Sequence, residues 1–122
     1  LVRDFEGRGV AFVGICSNDS VNYPDDSPES LKLRWQKKKY GFPYLVDEDQ
    51  SVARAYGAVC TPDLYVYNSQ HALAYHGRLD DHWQEASKVT RSDLRQALEA
   101  LLKGVWPDSS QVSSMGCSIK WK

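Results

Sequence analysis

The sequence has no CxxC pair, and its three cysteines, Cys16, Cys60 and Cys117, stand far apart. That spacing excludes a local redox dithiol and the paired ligands of a common zinc site. An odd number of thiols fits a reduced chain better than a disulfide framework, so a reducing intracellular or organellar compartment is expected. Basic charge is not in excess either. Fifteen Lys and Arg against sixteen Asp and Glu leave a formal net charge of −1, whereas a dedicated nucleic-acid binder usually shows a basic surplus. No apolar run approaches the ~20 residues that cross a bilayer. There is no internal repeat and no sign of a second domain.

What is present is globular: 122 residues, 42% hydrophobic and 25% charged, with four tryptophans. A chain of this length buries enough surface to fold as one domain without staples. Its first residue is Leu1, and "LVRDFEGRGV" reads as the tail of a helix. The expectation is that further residues, with any targeting peptide, lie upstream.

Residues 10–15, Val-Ala-Phe-Val-Gly-Ile, form a short apolar run suited to a strand covered on both faces. Ser27 followed by Pro28 predicts a helix start, the helix running to about Lys39 and stopping near Gly41. Leu31, Leu33 and Trp35 are its few apolar members, so it belongs on the surface. Residues 42–46 read as a second strand, at an edge because of Pro43. Asp49 is the expected cap of a short helix over Ser51–Tyr56, with Gly57 ending it in the left-handed region. Residues 63–68 and 72–77 pair as a hairpin across a four-residue turn, Leu64 and Val66 on one side, Tyr65 and Tyr67 on the other. Thr90 with Asp93 three residues on is a capping-box-like start. Leu94, Ala97, Leu98, Leu101 and Leu102 then follow a helical stripe to Gly104. Residues 106–116 read as a polar linker before the ending "CSIKWK". The order is that of an α/β chain with a mixed sheet and a terminal antiparallel hairpin backed by a helix.

A Thr-Pro step between a short helix and a strand, then a hairpin and a last helix, resembles the second half of the thioredoxin fold. The stretches "VAFVGICSNDSVNYPDDSPESLK", "FPYLVDEDQSVARAYGAVCTPDLYVY", "GRLDD" and "GCSIKWK" are similar to the thioredoxin-like AhpC/TSA (redoxin) family, in its thioredoxin family protein branch. The resemblance spans nearly the whole chain. It implies a thioredoxin-like domain over residues 1–105, incomplete at its N-terminus, and a linker and tail over 106–122. It also implies an upstream strand and a redox helix opening on a CxxC-type pair, with no counterpart here. That strand would lie centrally in the sheet, so it is expected from residues outside these 122, from a partner chain or from self-association.

The implied activity is thiol–disulfide or peroxide-linked oxidoreduction, antioxidant in kind, with a thiol or disulfide protein or a peroxide as substrate. The nucleophile would lie upstream. The alternative is a non-catalytic interaction module. No metal or organic cofactor is called for, because thiols carry the electrons. The resemblance makes Thr61–Pro62 a cis step walling the substrate groove, with Asn18 at the end of the first strand facing it. Cys60 reads either as an auxiliary thiol or as a small residue packed behind the site. Cys117 reads as a resolving thiol if the tail folds back; otherwise Ile119 and Trp121 anchor the tail and the cysteine is incidental. Cys16 reads as core. Residues 17–19 fit a ligand loop or plain turn chemistry, and Asn18-Asp19-Ser20 also fits the glycosylation pattern. "HGRLDDH" offers metal-binding residue types without convergent spacing, and a solvated loop is expected. "LKLRWQKKKY", flanked by acidic runs, reads as a solvated helix face.

Overall fold

The computed structural model describes residues 2–39, 41–82, 86–107, 111–114 and 117–122. Part of the linker read over residues 106–116 lies outside them. Two compact units divide the chain. The first comprises Leu1–Ala58 with Ile119–Lys122, the second Val59–Ser118.

The first unit opens with helix α1 (Val2–Phe5), whose Phe5 is wholly buried. Strand β1 (Gly14–Cys16) pairs in parallel with β2 (Tyr44–Val46), Ile15 opposite Leu45. The strand expected over residues 10–15 is thus shorter and ends one residue later. Its partner explains this. Pro43 has no N–H to offer a ladder, and pairing begins where its carbonyl accepts the Gly14 N–H at 2.9 Å. A Cβ on Gly14 would meet the Tyr44 ring at 2.8 Å, so the close approach needs glycine.

Helix α2 (Pro28–Lys38) starts as expected: the Ser27 hydroxyl oxygen accepts the Ser30 N–H at 3.2 Å. It stops at Lys39, which itself takes the left-handed conformation two residues before Gly41. Leu31 is its buried residue, while residues 32–39 are exposed. Helix α3 (Ser51–Tyr56) has the expected bounds and ends on left-handed Gly57, but its cap differs. Asp49 accepts the Ser51 N–H, while the buried Asp47 accepts those of Val52 and Ala53. Asp47 closes β2, so one carboxylate ties strand end to helix start.

In the second unit, β3 (Cys60–Thr61) leads through a cis Thr61–Pro62 bond into β4 (Leu64–Tyr67). β4 and β5 (Leu73–Gly77) form the expected antiparallel hairpin. An irregularity pairs Tyr67 with Leu73 and leaves Ala74 of β5 without an opposite residue. Helix α4 (Asp93–Leu102) packs on β5 and buries Leu94, Ala97 and Leu98. It begins three residues after Thr90, because Asp81 takes the Thr90 hydroxyl and the N–H groups of Thr90 and Arg91. Arg78 and Arg91 both face the buried Asp93 carboxylate, their Nε atoms 3.0 and 3.7 Å from Oδ2. The ending forms a strand, β6 (Cys117–Ser118), antiparallel to β3. Among the described residues the strands pair as three two-stranded ladders. No described helix is long and apolar enough to cross a membrane.

Candidate functional site

The second unit gathers four of the five residues singled out in the sequence. Cys60 and Thr61 form β3, Pro62 follows, and β6 sets Cys117 opposite Thr61 and Ser118 opposite Cys60. The Thr61 hydroxyl donates to the Cys117 carbonyl at 3.4 Å. Side chains directly opposite share a face, and neighbours along a strand alternate. Cys60 and Cys117 therefore point to opposite faces of the ladder. All three cysteines are free thiols. The tail does fold back, as one reading required, but this register does not bring the two sulfurs together.

Cys60 is half-buried, and its Sγ lies 3.6 Å from the Ser114 carbonyl oxygen. Burial, helped by the Asp63 charge, pushes this thiol above its ordinary value. A thiolate is the nucleophilic form, so this environment works against reactivity. Cys16 is pushed the same way, again chiefly by burial. Cys117 is exposed.

Directly after the proline, Asp63 collects a polar cluster that the sequence did not announce. Its side chain is 7% exposed and meets His76 Nε2 at 2.9 Å. It accepts the Tyr65 hydroxyl at 3.1 Å and the Ser114 hydroxyl at 2.8 Å. Tyr65 and His76 stack with ring centroids 4.1 Å apart. Burial and the Asp63 carboxylate push the Tyr65 phenol up to about 12. Residues far apart in sequence meet here, and only the hairpin register (Tyr65 opposite His76) could have hinted at part of it.

Asn18, the fifth residue, belongs to the first unit. Its amide nitrogen donates to Asp26 at 3.1 Å, and its oxygen accepts the Lys120 N–H at 2.9 Å. Beside it, Asp19 accepts the Val21 N–H and the Asn22 amide, which is the turn chemistry expected of this segment. Gln50, 1% exposed, is the centre the sequence reading missed. It donates to the carbonyls of Ser17 and Lys120 and accepts the Lys122 N–H. Ile119 is buried and Arg54 lies over the Trp121 ring, so the last four residues are anchored within this unit. An open cleft of ≈ 640 Å³ in the same unit is lined by Ile15, Leu45, Val46 and Val52 with Asp47 and Glu48.

The metal types of "HGRLDDH" are engaged otherwise. His76 meets Asp63, and Asp81 binds Thr90 and Arg91. Among the described residues no group of three or more His, Cys, Asp or Glu is placed to hold a metal ion.

The AhpC/TSA family model matches residues 1–76, more than half of the chain. The chain belongs to the AhpC/TSA family. Two solved structures are similar over 99% of its length. A hypothetical protein from Sinorhizobium meliloti 1021 is 45% identical with a TM-score of 0.92. An uncharacterized conserved protein from Geobacillus kaustophilus is 47% identical with a TM-score of 0.93. The chain spans 67% of the first and 65% of the second. No curated protein matches. The topology of this redoxin relative is thioredoxin-like and mixed α/β.

Proposed function

We propose that this redoxin chain is part of a thiol–disulfide or peroxide-linked oxidoreductase whose redox cysteines lie outside these 122 residues. The observation that carries the reading is the state of its own thiols. In a chain of redoxin lineage, Cys16 and Cys60 are both pushed up by burial, away from the thiolate that such chemistry needs. Both similar structures also have chains about half as long again. In this reading Thr61, Pro62 and the tail with Cys117 wall the site, and the nucleophile comes from elsewhere. A reducing compartment suits the three free thiols.

A second reading, a non-catalytic module, draws on the sheet of the first unit. Val13, Ile15 and Leu45 are 58%, 43% and 52% exposed, an apolar face that a segment from a partner or a second copy would cover.

The test compares this chain with the product of its complete reading frame, assayed for disulfide reduction and for peroxide consumption. The 122-residue chain is expected to be inactive and the longer protein active, with activity lost when its additional cysteines become serine. Turnover by the 122-residue chain alone would overturn the reading. A longer protein inactive in both assays would favour the module.

A further inference from the structure

The carboxylate of Asp63, placed directly after Pro62, grips a histidine from one side. Its Oδ1 lies 2.9 Å from His76 Nε2 and 2.8 Å from the Ser114 hydroxyl, and its Oδ2 accepts the Tyr65 hydroxyl at 3.1 Å. A carboxylate only accepts hydrogen bonds, so the proton of the neutral imidazole sits on Nε2. Nδ1 then carries the lone pair, and among the described residues no partner is placed on it. The Tyr65 ring stacks on the imidazole, 4.1 Å between centroids and 13° between planes, and so fixes the plane of the ring. The Asp63 side chain is 7% exposed and that of His76 42%. The pair thus has a buried end, which orients, and an open end, which can take and give a proton.

Its place in the fold matters as much as its geometry. In the hairpin register Leu64 pairs with Gly77 and Tyr65 with His76. His76 therefore stands beside the start of β4, at the end where the Thr61–Pro62 step lies. The titratable groups around it are unsuited to compete for the proton. Burial and the Asp63 carboxylate push the Tyr65 phenol up to about 12, and burial with the Asp63 charge also pushes up the Cys60 thiol of β3.

We infer that His76 is the proton-transfer residue of the site walled by Thr61 and Pro62, with Asp63 as its positioning residue. This rests on the oxidoreductase reading, and it assigns His76 to the second half of a thiol–disulfide exchange. There a resolving thiol, from residues outside these 122, attacks the mixed disulfide between nucleophile and substrate. Its proton goes to His76 Nδ1 as its sulfur forms a new S–S bond with the nucleophile sulfur. The old S–S bond breaks, and the substrate sulfur leaves with the electron pair and takes the proton from Nδ1. The resolving sulfur is oxidised, the substrate sulfur is reduced to a thiol, and the imidazole returns to its neutral form.

The test is single-turnover reduction of a disulfide-containing peptide by the product of the complete reading frame. Acid quenching lets mixed disulfide and released thiol be counted separately. An ordinary thiol, with a pKa near 8.5, is only about 3% thiolate at pH 7. A base that removes its proton therefore speeds resolution by up to about thirtyfold at pH 7, and by little at pH 10, where the thiol ionises unaided. His76→Gln should slow resolution by about ten- to thirtyfold at pH 7 and by less than about twofold at pH 10. Asp63→Asn lets an amide N–H face Nε2, which favours the wrong tautomer, and should slow the same phase. The double variant should lose no more than His76→Gln alone, because both changes act through one imidazole. Unchanged resolution in His76→Gln, a loss of equal size at both pH values, or additive losses in the double variant would overturn the inference and leave the oxidoreductase reading in place. An unaltered longer protein that forms no mixed disulfide would overturn that reading, and the inference with it.

Discussion

The two units of this redoxin are secured by different means. In the second, apolar burial dominates: Ala74 and Tyr75 of β5 and Leu94, Ala97 and Leu98 of α4 are all at most 6% exposed. In the first, the sheet buries none of its own side chains; Ile15 and Leu45, opposite each other, are 43% and 52% exposed. Its buried groups are Phe5, Leu31, Ala53 and Ile119, joined by the polar Asp19, Asp47 and Gln50. The Asp19 N–H and the Gln50 side chain tie the strand-end loop to Lys120, and Asp47 ties it to the start of α3. Hydrophobic burial acts through area and is tolerant of detail, whereas buried polar groups stabilise only while their partners remain. The second unit should therefore respond most to lost volume, and the first to lost hydrogen bonds.

The largest contrast comes from two leucines. Leu98→Ala should cost about 2–5 kcal/mol, the range for a fully buried leucine that leaves a cavity. Leu45→Ala, at a half-exposed position, should stay within about 0.5 kcal/mol. Urea midpoints of the two variants measure both, and equal losses would break the contrast. Next comes Asp47→Ala. Burial alone would raise this carboxyl, but hydrogen bonds from Ser17, Ala53 and Val52 outweigh it and hold the group below its ordinary value. The variant orphans the start of α3 and should cost about 1–2 kcal/mol, the upper range for a lost N-terminal cap. Thermal unfolding would register it, and an unchanged midpoint would show that the polar contacts of the first unit contribute little.

How far the sequence discloses this arrangement depends on distance along the chain. Ser27, Gly57 and Gly104 act through neighbours within a few residues, and their roles at helix ends are legible from residue type alone. The cap of α3 is not. Asp49 has the nearer position, yet Asp47, the residue directly after β2, wins because its carboxylate accepts two N–H groups at the helix start. Thr90 fails as a cap for a similar reason: Asp81, nine residues earlier, competes for its hydroxyl. The Thr61–Pro62 step was legible through family likeness, not through spacing. The cluster at Asp63 was hidden, since Ser114 reaches it across 51 positions and no local pattern records such a contact. The face-to-face register of β3 and β6 was equally hidden, and it is what separates Cys60 from Cys117.

Smaller effects test the edges of the comparison. Ser27→Ala removes the cap of α2, a helix that buries only Leu31, and should cost about 0.5–1 kcal/mol by thermal unfolding. Ser27→Gly should recover most of it, because glycine tolerates the cap conformation.

The smallest effect is the acid response of Asp81, a solvent-open polar clamp in the second unit. The Thr90 hydroxyl, then the Arg91 and Thr90 N–H groups, hold its carboxyl down to about 2 against an ordinary 3.8. A folded value below the unfolded one means that the carboxylate form is favoured by folding. The contribution is therefore complete above pH 3.8 and disappears as the pH falls toward 2. Thr90→Val deletes the largest of the donors and should move the folded value back toward the unfolded one. Melting temperatures measured between pH 5 and pH 2 should then fall less steeply for the variant than for the unaltered protein. The difference will be small, because the clamp is open to solvent and screened. Parallel curves would show that the Asp81 clamp adds nothing measurable to the acid response, leaving the carboxylates of the first unit, Asp47 and Asp19, as the next to test.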